Sequence, residues 1–225
     1  MRIGSYFVGL VLNVVMVLPS MAAERAMDLL DPAVSFTADF QVSGDKGNYH
    51  GTVWHAPGRE RRDFGTKDGG QAVILRRDSD SAYLLKPSGH WYVGLGFAAV
   101  ATLAGGLDSL TVERSRVGTD TVAGLKATRF KVSGSGPKGS RFDGHAWFSA
   151  EGIMLKAAGT LSSGDGRRSE VETTLSNVRI GRVEERMFEL PAGWFGMDLR
   201  SVPPERLALA LESLRPLLEG RGAHQ

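Results

Sequence analysis

Between Val34 and Val42 the chain alternates without a slip. Val34, Phe36, Ala38, Phe40 and Val42 are apolar, and Ser35, Thr37, Asp39 and Gln41 between them are polar. Successive side chains of a strand point to opposite faces, so a period of two specifies a strand with one dry face and one wet face. The pattern recurs. The run Tyr49–His55 puts Tyr49, Gly51 and Val53 on one face, and Ser43-Gly44-Asp45-Lys46-Gly47-Asn48 before it is a loop of turn residues, so the two runs predict a hairpin. Further strands are expected at Arg61–Phe64, Gln71–Arg76, Ala82–Lys86, His90–Val93, Leu110–Val117, Val122–Val132, Arg141–Phe148, Ile153–Leu161 and Val171–Ile180. Gly118-Thr119-Asp120 reads as the turn between its two neighbours. Strands at this spacing, with many of the 29 glycines between them, argue for one large antiparallel sheet or barrel. No strand–helix–strand alternation appears, which excludes a doubly wound nucleotide fold.

Helical periodicity is confined to short segments. Residues 24–32 read as a short helix or a lead-in, and Phe97–Leu103 as a short apolar helix or a flap ended by Gly105-Gly106. After Pro203-Pro204, Leu207, Leu211, Leu214 and Leu218 recur at helical spacing, which predicts an amphipathic helix whose leucine stripe packs on the sheet. Pro216 should kink or end it near Arg215.

The first residues have another logic. Arg2, an apolar run from Tyr6 to Leu18, and small residues at Ser20 and Ala22 form a secretory leader with cleavage expected before Ala23. The run is shorter than the roughly 20 apolar residues of a membrane span, and no later segment reaches that length. The expected organisation is a leader over 1–22, a barrel domain over 23–200 and a C-terminal helix and tail over 201–225, with a periplasmic mature chain that has no stable membrane span.

Few catalytic chemistries fit these residues. The absence of cysteine removes disulfides, thiolate metal sites and thiol nucleophiles. The net charge of +2, from 27 basic and 25 acidic residues, gives no nucleic-acid footprint. Gly134-Ser135-Gly136-Pro137-Lys138-Gly139 matches a dinucleotide pattern in letters, but it lies between two strands and reads as a hairpin loop. His50 and His55, five apart on one strand, face opposite sides and cannot share a metal. No nucleophile elbow is present. The chain is expected to be a non-enzyme without cofactor or metal. Arg59, Arg61, Arg62, Arg76 and Arg77 form a basic zone that is a solvated face, a guide for an anionic head group, or a set of partners for buried carboxylates. The strand aromatics either fill a core or line an apolar cavity in a sheet too wide to be filled. Trp54 and Trp147 are out of phase with their neighbours, so one face cannot hold every aromatic.

Taken in order, these features resemble a known family. Phe36-Thr37-Ala38-Asp39-Phe40 leads to Gly51-Thr52-Val53-Trp54, then Pro57-Gly58 and Arg61-Arg62. Val117-Gly118-Thr119-Asp120-Thr121-Val122-Ala123-Gly124 precedes Thr128-Arg129-Phe130-Lys131-Val132, and the barrel ends at Phe188-Glu189-Leu190-Pro191-Ala192-Gly193-Trp194. The pattern, over most of residues 34–194, resembles the LolA/LolB-like superfamily of periplasmic lipoprotein carriers, especially its uncharacterised branches. The chain departs from the carriers in placing its leucine-rich helix after the barrel. The resemblance implies a mainly β fold: a large antiparallel, incompletely closed β-barrel covered by short helices, with an apolar cavity that in the carriers takes acyl chains. Cavity candidates are Phe36, Phe40, Val42, Tyr49, Val53, Phe142 and Phe148; Leu207, Leu211, Leu214 and Leu218 would cover it. The expected partner is a lipid or acylated lipoprotein. The alternative is an envelope protein partner, since a regulatory relative senses envelope stress on the same fold.

Overall fold

The computed structural model describes residues 23–45, 47–65, 70–103, 110–136, 139–203, 206, 207 and 209. The expected leader over 1–22 and Leu211, Leu214 and Leu218 lie outside the described residues.

Two meanders make one sheet. The first runs through β2 (Phe36–Gly44), β3 (Gly47–Ala56), β4 (Arg59–Phe64), β5 (Gln71–Arg76), β6 (Ser81–Lys86) and β7 (Trp91–Gly96). The second runs through β8 (Thr111–Val122), β9 (Leu125–Ser135), β10 (Arg141–Phe148), β11 (Met154–Ser162) and β12 (Arg168–Ile180). β12 pairs antiparallel with β2 and joins them. A two-residue strand β1 (Glu24–Arg25) lies against β8, and β13 (Phe195–Asp198) lies parallel to β7. The order β1-β8-β9-β10-β11-β12-β2-β3-β4-β5-β6-β7-β13 leaves two edges, so the 13-stranded sheet does not close. Helix α1 (Ala26–Leu29) follows β1, and α2 (Phe97–Leu103) follows β7, settling the second expected segment as a helix.

One expected turn moves. Gly118, Thr119 and Asp120 pair with Arg129, Thr128 and Ala127 inside the β8–β9 ladder, with a bulge between Arg116 and Gly118. The reversal comes at Ala123 and Gly124, with φ of 54° and 75°. A two-residue hairpin loop needs left-handed conformations, and a glycine there permits them, so the earlier Gly-Thr-Asp is drawn into the strand. Elsewhere glycine permits close approach. Gly144 faces Gly159 across β10 and β11, and a Cβ on either would come within 2.3 or 2.4 Å of a carbonyl oxygen of the other strand.

Register divides the sheet into two faces. Phe36, Ala38, Phe40, Val53, Leu155 and Leu175 share one of them and form its central core, with Phe64 and Val42 packed against it. On the same face α1 brings Ala26 and Leu29 onto Val112, Val132, Ala146 and Phe148. At the other end Leu207, fully buried, packs with Ala82, Val93 and Leu95 beside Ala99 and Val100 of α2. Leu207 thus docks on the sheet, and contributes about 1.5–3 kcal/mol by leaving water. The opposite face carries Trp54, Ala56, Ala72, Ile74 and Leu85, covered by a strap containing Val183, Met187, Phe188, Leu190 and Trp194. This explains why Trp54 is out of phase with Phe40. Trp147 is also out of phase, and its indole Nε1 donates to Asp120 Oδ2 at 3.3 Å.

Candidate functional site

The seven cavity candidates separate into three places. Phe36, Phe40 and Val53 are 4%, 2% and 1% exposed. Phe36 stacks on His55 at 5.1 Å, Phe40 meets Phe64 edge-on at 5.2 Å, and the Arg62 guanidinium lies 5.4 Å from the Phe40 ring centre. These three form packed floor. Toward the β2–β3 loop the floor opens. Val42 is half-buried, and its cross-strand neighbour Tyr49 is 48% exposed. Val42, Tyr49, Leu161 and Val171 line an opening of about 470 Å³ with Gly44 and Gly47. Leu161 is likewise 48% exposed. Phe142 pairs across β10–β11 with Leu161 and so adjoins this mouth, although its ring packs toward the third cluster. Phe148 sits at the other end of β10, buried among Val112, Val132 and Ala146 beneath α1, away from the mouth.

Charge is arranged at the rim. Arg167, Arg168 and Glu170 line the opening beside its apolar residues. Arg167 Nε donates to Asp165 Oδ2 at 2.8 Å on an exposed turn. The arrangement can take an apolar chain on Val42, Tyr49, Leu161 and Val171 while keeping a polar end in water. Leu161 and Val171 were missed as candidates because their neighbours on β11 and β12 are mixed. Only the register shows that they share Tyr49's face.

The basic zone proves to be a set of ion pairs. The strand period of two sends alternate arginines to opposite faces. Arg59 pairs with Glu185 of the strap and lies 5.3 Å from the Phe188 ring centre. Arg61 pairs with Asp63 at 2.7 Å, and Arg76 with Asp78 at 3.1 Å. On the Phe36 face, Arg62 Nε donates to Glu60 Oε1 at 2.7 Å, and Arg77 reaches Asp31 at 3.0 Å and the Met27 carbonyl at 2.8 Å. Each arginine of the zone meets a carboxylate, but none of these carboxylates is buried: Asp31, Glu60 and Asp63 are half-buried, and Asp78 and Glu185 are exposed.

These last contacts make a latch. Asp31 accepts from the Gly58 N–H at 2.9 Å. His55 Nε2 donates to the Pro32 carbonyl at 3.0 Å, and its Nδ1, 3.5 Å from Glu60, has no closer hydrogen-bond partner among the described residues. Burial pushes the Glu60 carboxyl up, but Arg62 and His55 beside it outweigh that and hold it at about 2. Met27, Leu30 and Leu75 complete a cavity of about 290 Å³ here. The latch fastens the segment after α1 across β3, β4 and the β5–β6 turn.

No family model and no curated protein matches the sequence. Solved structures do. An uncharacterized conserved protein from Thermus thermophilus matches with a TM-score of 0.51 over 77% of this chain and 96% of that one, at 11% identity. MucB in complex with MucA(peri) matches at 0.45 and 16% identity over 74% of this chain, which spans 59% of the MucB chain. The LolA superfamily protein NE2245 from Nitrosomonas europaea matches at 0.39 and 11% identity, covering 74% and 98%. At these identities the likeness concerns the fold alone. Among the described residues no helix is long and apolar enough to cross a membrane.

Proposed function

We propose that the chain is a periplasmic binding module of envelope lipid or lipoprotein trafficking, which holds the apolar part of a lipid, acyl chain or lipoprotein at the mouth between β2, β3, β11 and β12. The observation that carries this reading is the pair Tyr49 and Leu161. Two large apolar side chains, each about half exposed, face one opening at the end of an otherwise packed apolar floor. Exposed apolar surface of this kind, bordered by polar residues, marks a binding site. Arg167 and Arg168 at its rim suit an anionic head group. Periplasmic placement rests on the leader pattern, and the intact mass of exported protein beginning at Ala23 tests it.

The binding experiment uses a fluorescent fatty-acid probe on the exported protein and on Tyr49→Asp and Leu161→Asp. Both positions are open to water, so both variants should fold, and both should lose the probe. A parent protein that never binds the probe overturns the reading. The alternative, an envelope protein partner, is favoured by the open strand edge described next.

A further inference from the structure

Strand β8 has 12 residues, but β1 covers it only at Thr111 and Val112. Beyond Val112 no described residue pairs with its outer side. The Ala26 N–H donates to the Leu110 carbonyl at 2.9 Å, which shows the side on which β1 binds. Backbone groups alternate along an antiparallel strand, so the N–H and C=O of Val112, Arg114 and Arg116 all point to that outer side. Up to the bulge after Arg116, the edge is therefore a continuation of a ladder that β1 begins and leaves unfinished.

The side chains beside this edge say what would complete it. Arg114 lies 5.0 and 5.3 Å from the ring centres of Phe130 and Phe148, which hold its guanidinium in place. Glu24 of β1 accepts from it at 3.1 and 3.3 Å. Arg116, two residues on and so on the same face, is exposed and has no ion-pair partner among the described residues. Glu113, the acidic residue of β8 before the bulge, falls on the other face. A second copy adding its own β8 would bring arginine against arginine, which opposes self-pairing.

We propose that the outer edge of β8 over Glu113–Arg116 binds an extended acidic segment of another polypeptide as an added antiparallel strand. It would continue the line of β1, its backbone bonding to Arg114 and Arg116 and its carboxylates lying on the face of those two guanidinium groups. Glu24 on Arg114 is the chain's own example of this recognition. Main-chain bonds supply affinity and the side chains supply selection, as in other strand additions.

The probe is a short acetylated peptide of alternating Thr and Glu, with its Gln counterpart, added to the exported protein. Amide exchange at Arg114 and Arg116 should slow, and the Gln peptide should bind about tenfold more weakly. Arg116→Pro removes one outward N–H at an edge position that tolerates proline, so it should fold and lose the peptide. Arg116→Glu should weaken binding while leaving the backbone edge intact. The proposal fails if the peptide does not bind, if the protected amides lie elsewhere, if the Gln peptide binds equally, if charge reversal changes nothing, or if the protein alone dimerises through β8. The fatty-acid mouth involves other strands, so losing that activity leaves this proposal standing.

Discussion

The two meanders share one sheet but live in different surroundings. From β5 to β7 the sheet is covered on both sides, by the strap holding Val183 and Phe188 on one face and by α2 and Leu207 on the other. From β8 to β11 one face is packed, while the opposite face carries Glu113, Ser115, Lys131, Ser133, Asp143 and His145. The difference is written in the residues. Ala72-Val73-Ile74-Leu75 and Ala82-Tyr83-Leu84-Leu85 are continuous apolar runs, whereas Lys126-Ala127-Thr128-Arg129-Phe130-Lys131-Val132 is mixed. A strand buried on both faces has no need of a wet period, and one buried on a single face must keep it.

The sharpest break in that comparison is Phe188→Ala. It removes the centre of the strap from a closed two-sided core, and chemical denaturation should show a loss of about 3–5 kcal/mol. Glu60→Ala comes next. It strips Arg62 and His55 of their shared carboxylate, with an expected loss of about 2 kcal/mol. The same group sets an acid dependence. Glu60 has an ordinary value of 4.5 and is held at about 2 in the fold, so its contribution is present above pH 4.5 and is lost as pH falls toward 2. Melting temperatures across that interval should decline less steeply in Glu60→Gln than in the parent. Leu161→Ala, on the one-sided meander, should change stability by less than about 0.5 kcal/mol, because half of the side chain is already in water. Its fatty-acid affinity should nevertheless fall. A large loss of stability there would mean that Leu161 is core and that the mouth does not exist.

Much of the sheet is legible in the sequence because alternation is a direct image of one-sided burial. Phe36, Ala38 and Phe40 reveal their face without help from any partner. What stays hidden depends on distant pairing. Nothing local in Phe195–Asp198 announces a parallel edge strand. The apolar Val183, Phe188 and Leu190 cannot tell which face they cover until β12 is placed. The mouth is hidden in the same way: Val42 and Tyr49 are neighbours in one hairpin, but Leu161 and Val171 reach them only through the β11–β12 and β12–β2 registers. The arginine zone could be only half interpreted: Arg61, Arg62 and Arg76 pair with Asp63, Glu60 and Asp78 two residues away, whereas Arg59 and Arg77 draw Glu185 and Asp31 from distant segments.

The β12–β2 seam also governs how the chain reaches this structure. Within each meander every strand meets the next across a short connection, and such hairpins close in microseconds, about 1–10 µs each. The seam does not. Asn177 Nδ2 donates to Asp39 Oδ2 at 2.7 Å across 138 residues of chain. Closing a loop of that size costs conformational entropy before any contact compensates for it, so the seam is the slow step. Until it forms, β2 and β12 are bare edges, and Phe36, Phe40 and Leu175 lack their shared core. The time spent in that half-assembled state, more than the stability of either meander, sets how exposed the chain is to aggregation while it folds.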